Sequence, residues 1–137
     1  MSVQHVDWEN KYELGVEDID LQHHYFLNLI NRIAQEIGRS RDDLYLNALV
    51  SELNAYAKFH FISEETMMVH ADYPRYQEHR RHHLDLIQRL SIEEYNLLNR
   101  QSDERVEETL NFLTEWFLEH TNKEDRQFAE FLMHSKE

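Results

Sequence analysis

The chain of 137 residues contains no cysteine, two glycines and one proline. The absence of cysteine excludes disulfides, iron–sulfur clusters, thiolate zinc sites and thiol catalysis. The shortage of glycine and proline leaves few of the turns that a many-stranded sheet requires, which favours an all-α protein. No apolar run approaches the roughly eighteen residues of a membrane span, and the N-terminal residues lack a signal-peptide pattern, so we expect a cytoplasmic location.

Basic residues are also scarce, because 14 Lys and Arg stand against 27 Asp and Glu, giving a net charge of −13. Such a surface repels phosphate backbones and anionic lipid headgroups. We therefore expect no nucleic-acid partner and no membrane insertion. A chain of this length can bury a sizeable core without covalent staples, so residues 1–137 are expected to form a single domain.

Apolar residues recur at three- and four-residue spacings, which is the period of helices that bury one face. We expect Gly38 to end the first helix, the second to follow the turn RSRDD, and the break Ala71-Asp72-Tyr73-Pro74 to precede the third, which runs to about Leu98. After the connection of residues 99–102, Ser102 is expected to cap the fourth helix. The apolar positions of the first helix are Leu21, Phe26, Ile30, Ile33 and Ile37, and those of the second are Leu46, Leu49, Leu53, Tyr56, Ala57, Phe61 and Met68. The fourth helix has Val106, Leu110, Leu113 and Phe117, and a short C-terminal helix has Phe128, Phe131 and Leu132.

The short connections place consecutive helices antiparallel. The prediction is therefore an all-α, up-down-up-down four-helix bundle with a polar N-terminal arm and a short C-terminal helix that packs back against it. Trp8, in the arm, is expected either to close the bundle near the site or to anchor the arm as a hydrophobic staple.

Ten histidines are a large excess for this length, and no histidine run explains them. Several continue the apolar stripes, where a buried imidazole or carboxylate is costly unless something satisfies it. Side chains one turn apart lie on one face of a helix, about 5–6 Å apart at Cβ, so both can reach one ion or two adjacent ions. The residues that share this placement, with Asp125 added, are His23, His60, Glu64, His79, His83, His120 and Asp125.

Asp125 follows His120 by five residues, which is about 140° from it on a regular helix. The fourth helix is therefore expected to end or widen near Thr121-Asn122. Two other interpretations stay open: the histidines could be ordinary core residues with hydrogen-bond partners, and His82 could replace His83 as a ligand. The remaining histidines, His5, His24, His70, His82 and His134, are expected mainly at the surface.

Seven candidate ligands exceed the four that zinc normally takes, which indicates two metal ions of higher coordination number. If Glu64 and Asp125 bridge, five imidazoles, two carboxylates and one bridging oxo or hydroxo group fill about eleven of twelve octahedral positions. One position stays open for a small diatomic ligand. The carboxylate-rich di-iron enzymes of similar architecture use repeated Glu-x-x-His, and this sequence contains none.

The sequence resembles the hemerythrins, particularly their single-domain bacterial members, over nearly the whole chain. The resemblance is carried by LGVEDIDLQHHYFLNLIN, HFISEETMMVHADYPRYQEHRRHH and WFLEHTNKED. It implies two non-haem iron ions (Fe2+/Fe3+), one held by His79, His83 and His120 and the other by His23 and His60. Glu64 and Asp125 would bridge, and dioxygen would bind to the two-histidine iron.

The sequence departs from the family before the fourth-helix histidine, where Trp116-Phe117 replaces the usual Trp-Leu. Phe117 is expected beside the oxygen pocket, with Trp116 next to it, although plain core filling is compatible with the same position. We predict a non-enzymatic oxygen carrier, store or delivery protein. The alternatives are a di-iron enzyme or scavenger acting on peroxide or nitric oxide, and an oxygen-sensing module; any reductase or oxygen-consuming partner stays open.

Overall fold

The computed structural model describes residues 6–39, 43–98 and 103–135, and every regular element in these ranges is helical. A short 3-10 turn, Asn10–Tyr12, precedes the first helix. The elements that follow are α1 (Glu17–Arg39), α2 (Asp43–His70), α3 (Tyr76–Leu98), α4 (Asp103–His120), a π-helical turn (Thr121–Asp125) and α5 (Arg126–Ser135).

The four long helices form the predicted antiparallel bundle. Helix α1 packs against α2 and α4, and α3 packs against the same two helices. The buried face of each helix contributes to one central core, whose fully buried members include Phe26, Leu29, Ile30, Ile33, Ala57 and Leu113. The all-α, up-down-up-down prediction is confirmed. No described helix is long and apolar enough to cross a membrane.

The N-terminal arm is fastened to the start of α1 by one carboxylate. Asp20 accepts hydrogen bonds from the backbone amides of Leu14, at 2.9 Å, and Gly15, at 3.0 Å. Gly15 has φ +86°, a left-handed conformation in which a Cβ atom would be strained. Trp8 anchors the arm as well, since its indole donates to Glu13 and its ring stacks on His24 at 3.7 Å between centroids.

Two expectations for α1 are wrong. Gly38 does not terminate the helix, which continues to Arg39, because a glycine without positive φ can remain in helical geometry for a further residue. Leu21 is 60% exposed rather than part of the core stripe. It lies two residues, about 200°, from the fully buried His23, so both cannot face the core.

The break between α2 and α3 is confirmed, with Asp72 at φ 56° just after α2 and Pro74 just before α3. Helix α2 spans 28 residues, which is longer than the second apolar run required. Ser102, expected as the cap of α4, and most of the turn RSRDD lie outside the described residues, and so does His5.

The predicted C-terminal helix exists but is a continuation rather than a separate element. His120 and Arg126, which flank the π-helical turn, both have right-handed helical dihedrals, so the backbone runs without a break from α4 into α5. Its Phe128 and Ala129 close a second buried cluster with Leu14, Ile19, Met68 and Tyr73. This cluster covers the end of the bundle where the π-helical turn lies.

Candidate metal centre

The seven polar residues singled out in the sequence converge inside the bundle. All are buried, at relative exposures of 0% for His23 and Glu64, 1% for His79, His83 and Asp125, 2% for His60 and 6% for His120. Each of the four bundle helices contributes at least one histidine. Such a concentration of ionisable groups in a core is costly unless the groups satisfy one another or bind an ion.

One side of the centre contains three histidines. The Nε2 atom of His79 lies 2.9 Å from both Glu64 Oε1 and Asp125 Oδ1. The Nε2 atom of His83 lies 3.3 Å from Glu64 Oε1, and that of His120 lies 3.0 Å from Asp125 Oδ1. Together these five residues form a group whose donor atoms all lie within 4.8 Å of one another. We call this group the three-histidine position.

The other side contains two histidines. Asp125 Oδ2 lies 3.1 Å from His23 Nε2, and Glu64 Oε2 lies 3.9 Å from His60 Nε2. His23, His60 and the same two carboxylates form a second group within 4.8 Å, the two-histidine position. Each carboxylate thus turns one oxygen toward each position, which is the arrangement of a bridging ligand.

The π-helical turn explains how Asp125 joins His120. On a regular α-helix a residue five positions away points to a different side. The wider turn Thr121–Asp125 absorbs the extra residue and brings the carboxylate to 3.0 Å from the imidazole. The expected widening near Thr121-Asn122 is confirmed, and single π-helical turns are frequent at functional sites.

Unsatisfied atoms indicate that the cluster suits metal ions. Three buried atoms on the two-histidine side form no hydrogen bond of suitable geometry, although His23 Nε2 and Asp125 Oδ2 lie 3.1 Å apart: His23 Nε2, Glu64 Oε2 and Asp125 Oδ2. Buried polar atoms of a native protein normally have a partner, so these three potential ligand atoms need one. Imidazole and carboxylate ligands in this number suit metal ions of higher coordination number.

The electrostatics of the cluster keep His60 neutral and Glu64 ionised, which are the forms that bind metal, but they favour a proton on His79. Burial and the neighbouring His23 lower the pKa of His60 to about 3, so this ring stays neutral. Burial and the charge of Asp125 oppose ionisation of Glu64, but hydrogen bonds from His79 and His83 contribute to lowering its pKa to about 2. Burial also opposes charge on His79, but hydrogen bonds to Asp125 and Glu64 raise its pKa to about 10. A metal ion bound by His79 Nε2 would displace that proton from the nitrogen.

Aromatic rings wall both positions. Phe117 is buried, meets the ring of His23 edge-on at 5.3 Å and stacks on Phe26 at 5.0 Å. Trp116 stacks on His120 at 4.4 Å, on the three-histidine side. Of the two residues expected near the pocket, Phe117 therefore borders the two-histidine position and Trp116 the other one.

His83 and the alternative candidate His82 lie in different environments. The ring of His83 is buried within the cluster, whereas His82 lines an open surface hollow of about 270 Å³ beside Trp116 and His120. Among the other histidines, His70 and His134 are exposed, and His24 is partly exposed beneath Trp8.

Two residues that contact the cluster histidines were missed in the sequence. Gln22 Oε1 lies 2.7 Å from His60 Nδ1, and Glu65 Oε2 lies 2.8 Å from His83 Nδ1. Each is the chain neighbour of a candidate ligand, His23 or Glu64. The available signal was chemical: a histidine that binds metal through one nitrogen normally needs an acceptor for the other.

Comparison with known proteins places this arrangement in a family. The sequence profile of the Hemerythrin HHE cation binding domain matches residues 14–132. The chain belongs to the hemerythrin family. A bacteriohemerythrin from Clostridium acetobutylicum is 27% identical over 129 residues, which cover 90% of this chain and 98% of that protein. One from Pseudomonas aeruginosa strain LESB58 is 26% identical over 131 residues, covering 96% and 84%.

Solved hemerythrins have the same fold as this family member. A crystal structure of a hemerythrin with a leucine-to-alanine substitution superposes with a TM-score of 0.85 at 20% identity, covering 96% of this chain and 98% of that one. A leucine-to-tyrosine variant gives a TM-score of 0.83 at 20% identity, covering 94% and 98%. The cation-binding description of the family agrees with the buried histidine and carboxylate cluster.

Proposed function

We propose that this hemerythrin-family chain binds dioxygen reversibly at a pair of non-haem iron ions. The observation that carries the proposal is the division of one cluster into two positions that share Glu64 and Asp125. His79, His83 and His120 would hold one iron, and His23 and His60 the other. When bound, the metal pair supplies an open coordination position and the electrons that reversible oxygen binding uses.

The imbalance between the two positions supports oxygen binding on one side. With both carboxylates shared, the position of His23 and His60 has one protein ligand fewer, so it would offer the open site. Phe117 and Phe26 cover that side with apolar rings. An apolar wall excludes water and strengthens electrostatic interactions inside the site, and exclusion of water favours release of oxygen unchanged.

The proposed role is that of a carrier or store rather than an enzyme. The cluster offers five imidazoles and two carboxylates, which is a weaker oxide-like donor set than that of carboxylate-rich di-iron enzymes. The names of the relatives, bacteriohemerythrins, agree with this role. The proposal retains the expected cytoplasmic location.

The test is an oxygen cycle on anaerobically purified protein. Metal analysis should give two irons per chain, and a visible absorption band should appear with oxygen and disappear when oxygen is removed. Irreversible bleaching, or steady consumption of an added reductant with peroxide or nitric oxide, would move the assignment to a scavenging enzyme. A chain that takes up no iron would overturn both.

A variant pair tests the ligand assignment. His120→Ala should lose the iron of the three-histidine position and the oxygen-dependent colour, because His120 Nε2 faces Asp125 at 3.0 Å. His24→Ala is the matched control, since that ring lies outside the cluster, beneath Trp8. Full di-iron content in the first variant would refute the role of His120.

A further inference from the structure

The outward-facing nitrogens of two cluster histidines have chemically different partners. With Nε2 directed into the cluster, the Nδ1 atom of a metal-bound histidine carries the proton and donates it. His83 Nδ1 donates to the carboxylate of Glu65 at 2.8 Å, and His60 Nδ1 donates to the amide oxygen of Gln22 at 2.7 Å. One acceptor is anionic and the other is neutral.

Glu65 occupies a boundary between the cluster and solvent. Its side chain is 17% exposed and lines an open surface hollow of about 430 Å³ that also contains Ile62, Thr66, Val69, His70 and Tyr76. Water on this side can solvate the carboxylate while its other oxygen contacts His83. The charge is therefore close to the imidazole without the full cost of burying an ion.

A stacked aromatic ring also holds the imidazole of His83 in place. Phe61 is buried and stacks on it with centroids 3.9 Å apart and planes 8° from parallel. Replacing the Glu65 carboxylate by an amide keeps the size and the hydrogen-bond acceptor, so the ring should stay in place. The Glu65→Gln change therefore removes charge with little change in geometry.

Gln22 is held in one orientation. Its Nε2 atom donates to Ser63 Oγ at 3.1 Å, which leaves Oε1 facing His60. The amide thus supplies an acceptor with no net charge. Gln22→Glu would introduce at this histidine the charge that His83 already has.

We propose that Glu65 and Gln22 are positioning residues that make the two iron positions electronically unequal, with the three-histidine position the richer in electron density. The inference rests on the proposed di-iron function. A carboxylate that accepts the outward proton makes the imidazole a stronger donor to metal, whereas an amide fixes the ring with a smaller effect. The more strongly donating side stabilises ferric iron, so the iron at the three-histidine position should be oxidised first.

The test is a mediated potentiometric titration of the di-iron protein, followed by its visible spectrum. Glu65→Gln should raise the lower of the two one-electron midpoints, and Gln22→Glu should lower the higher one. The expected size is about a tenfold change in the redox equilibrium, or about 59 mV for one electron. Iron content and thermal midpoint, measured alongside, should stay close to those of the parent protein.

Charge-matched controls separate this local effect from net charge. Glu130→Gln and Gln35→Glu make the same changes at exposed helical positions and should leave both midpoints unchanged. Unchanged midpoints in both test variants, or equal shifts in the controls, would overturn this inference while leaving the di-iron function intact. A parent chain without iron would overturn the proposed function and the inference together. If one test variant does not fold, the midpoint of the other decides.

Discussion

The π-helical turn allows a prediction from two single-residue deletions. In this turn the five-residue spacing of His120 and Asp125 gives the contact that one-turn pairs such as His60 and Glu64 make at four residues. Asn122 is exposed and lies inside the turn. Its deletion should convert the turn to regular α-helix, with the carboxylate still facing the imidazole and α5 still packed on the bundle.

Deletion of Glu119 is the matched comparison, because it also removes one exposed residue from the same helical run. Here His120 would take the place of the deleted residue and rotate by about 100° about the helix axis. At an imidazole radius of about 5–6 Å, that rotation moves the ring by about 8 Å. His120 Nε2 now lies 3.2 Å from His83 Nε2 and 3.0 Å from Asp125 Oδ1, so a displacement of this size removes it from the cluster.

The assay is iron per chain after anaerobic reconstitution, with circular dichroism to establish that both variants are folded. We expect about two irons in the Asn122 deletion and a loss of at least one in the Glu119 deletion. A folded Asn122 deletion without iron would show that the π-helical geometry itself is required. A Glu119 deletion with two irons would refute the placement of His120.

Three further predictions concern stability. Phe117→Leu removes the ring that meets His23 edge-on at 5.3 Å. The variant should lose about 1–2 kcal/mol of unfolding free energy in urea and lose the oxygen-dependent band faster. An unchanged urea midpoint of unfolding would contradict this packing. The pKa of His60 is lowered to about 3, so the apoprotein should lose stability as pH falls from 6.5 toward 4.5, where the unfolded chain binds a proton that the folded chain does not. This range lies above the one in which Glu64 and Asp125 take up protons, so a constant thermal midpoint across it would contradict the burial of the His60 ring. Gly15→Ala should lower the melting temperature, because its φ is +86°. Gly38→Ala should maintain or raise the melting temperature, because helix α1 includes that position. Changes in melting temperature of the opposite sign would refute both backbone assignments.

The local patterns of the sequence were sufficient for the helices and for the ligand types. Helical periodicity depends on which residues of a helix face the core, and it can be recognised in the sequence without knowing which other helices form that core. One-turn pairs such as His79 and His83 share a face by helix geometry alone. The five-residue step to Asp125 likewise predicted that the fourth helix ends or widens there, because a regular helix could not bring that carboxylate to His120.

Boundaries and exposed positions were less predictable. Leu21 was assigned to the core from its apolar side chain, but helix rotation is set by the most constrained residues, and the burial of His23 places Leu21 outside. Glycine favours positive φ, which predicts a helix end at Gly38, yet the φ of Gly38 is not positive and α1 continues to Arg39. Local preferences of about 1 kcal/mol are readily overridden by tertiary contacts.

What the sequence by itself determined is an all-helical chain with a histidine and carboxylate set suited to two metal ions. The tertiary structure alone decided which oxygen of Glu64 or Asp125 faces which histidines, and that Glu65 and Gln22 lie behind His83 and His60. The physical reason is that helical spacing specifies neighbours on one helix, whereas contacts between helices depend on how the helices pack in three dimensions.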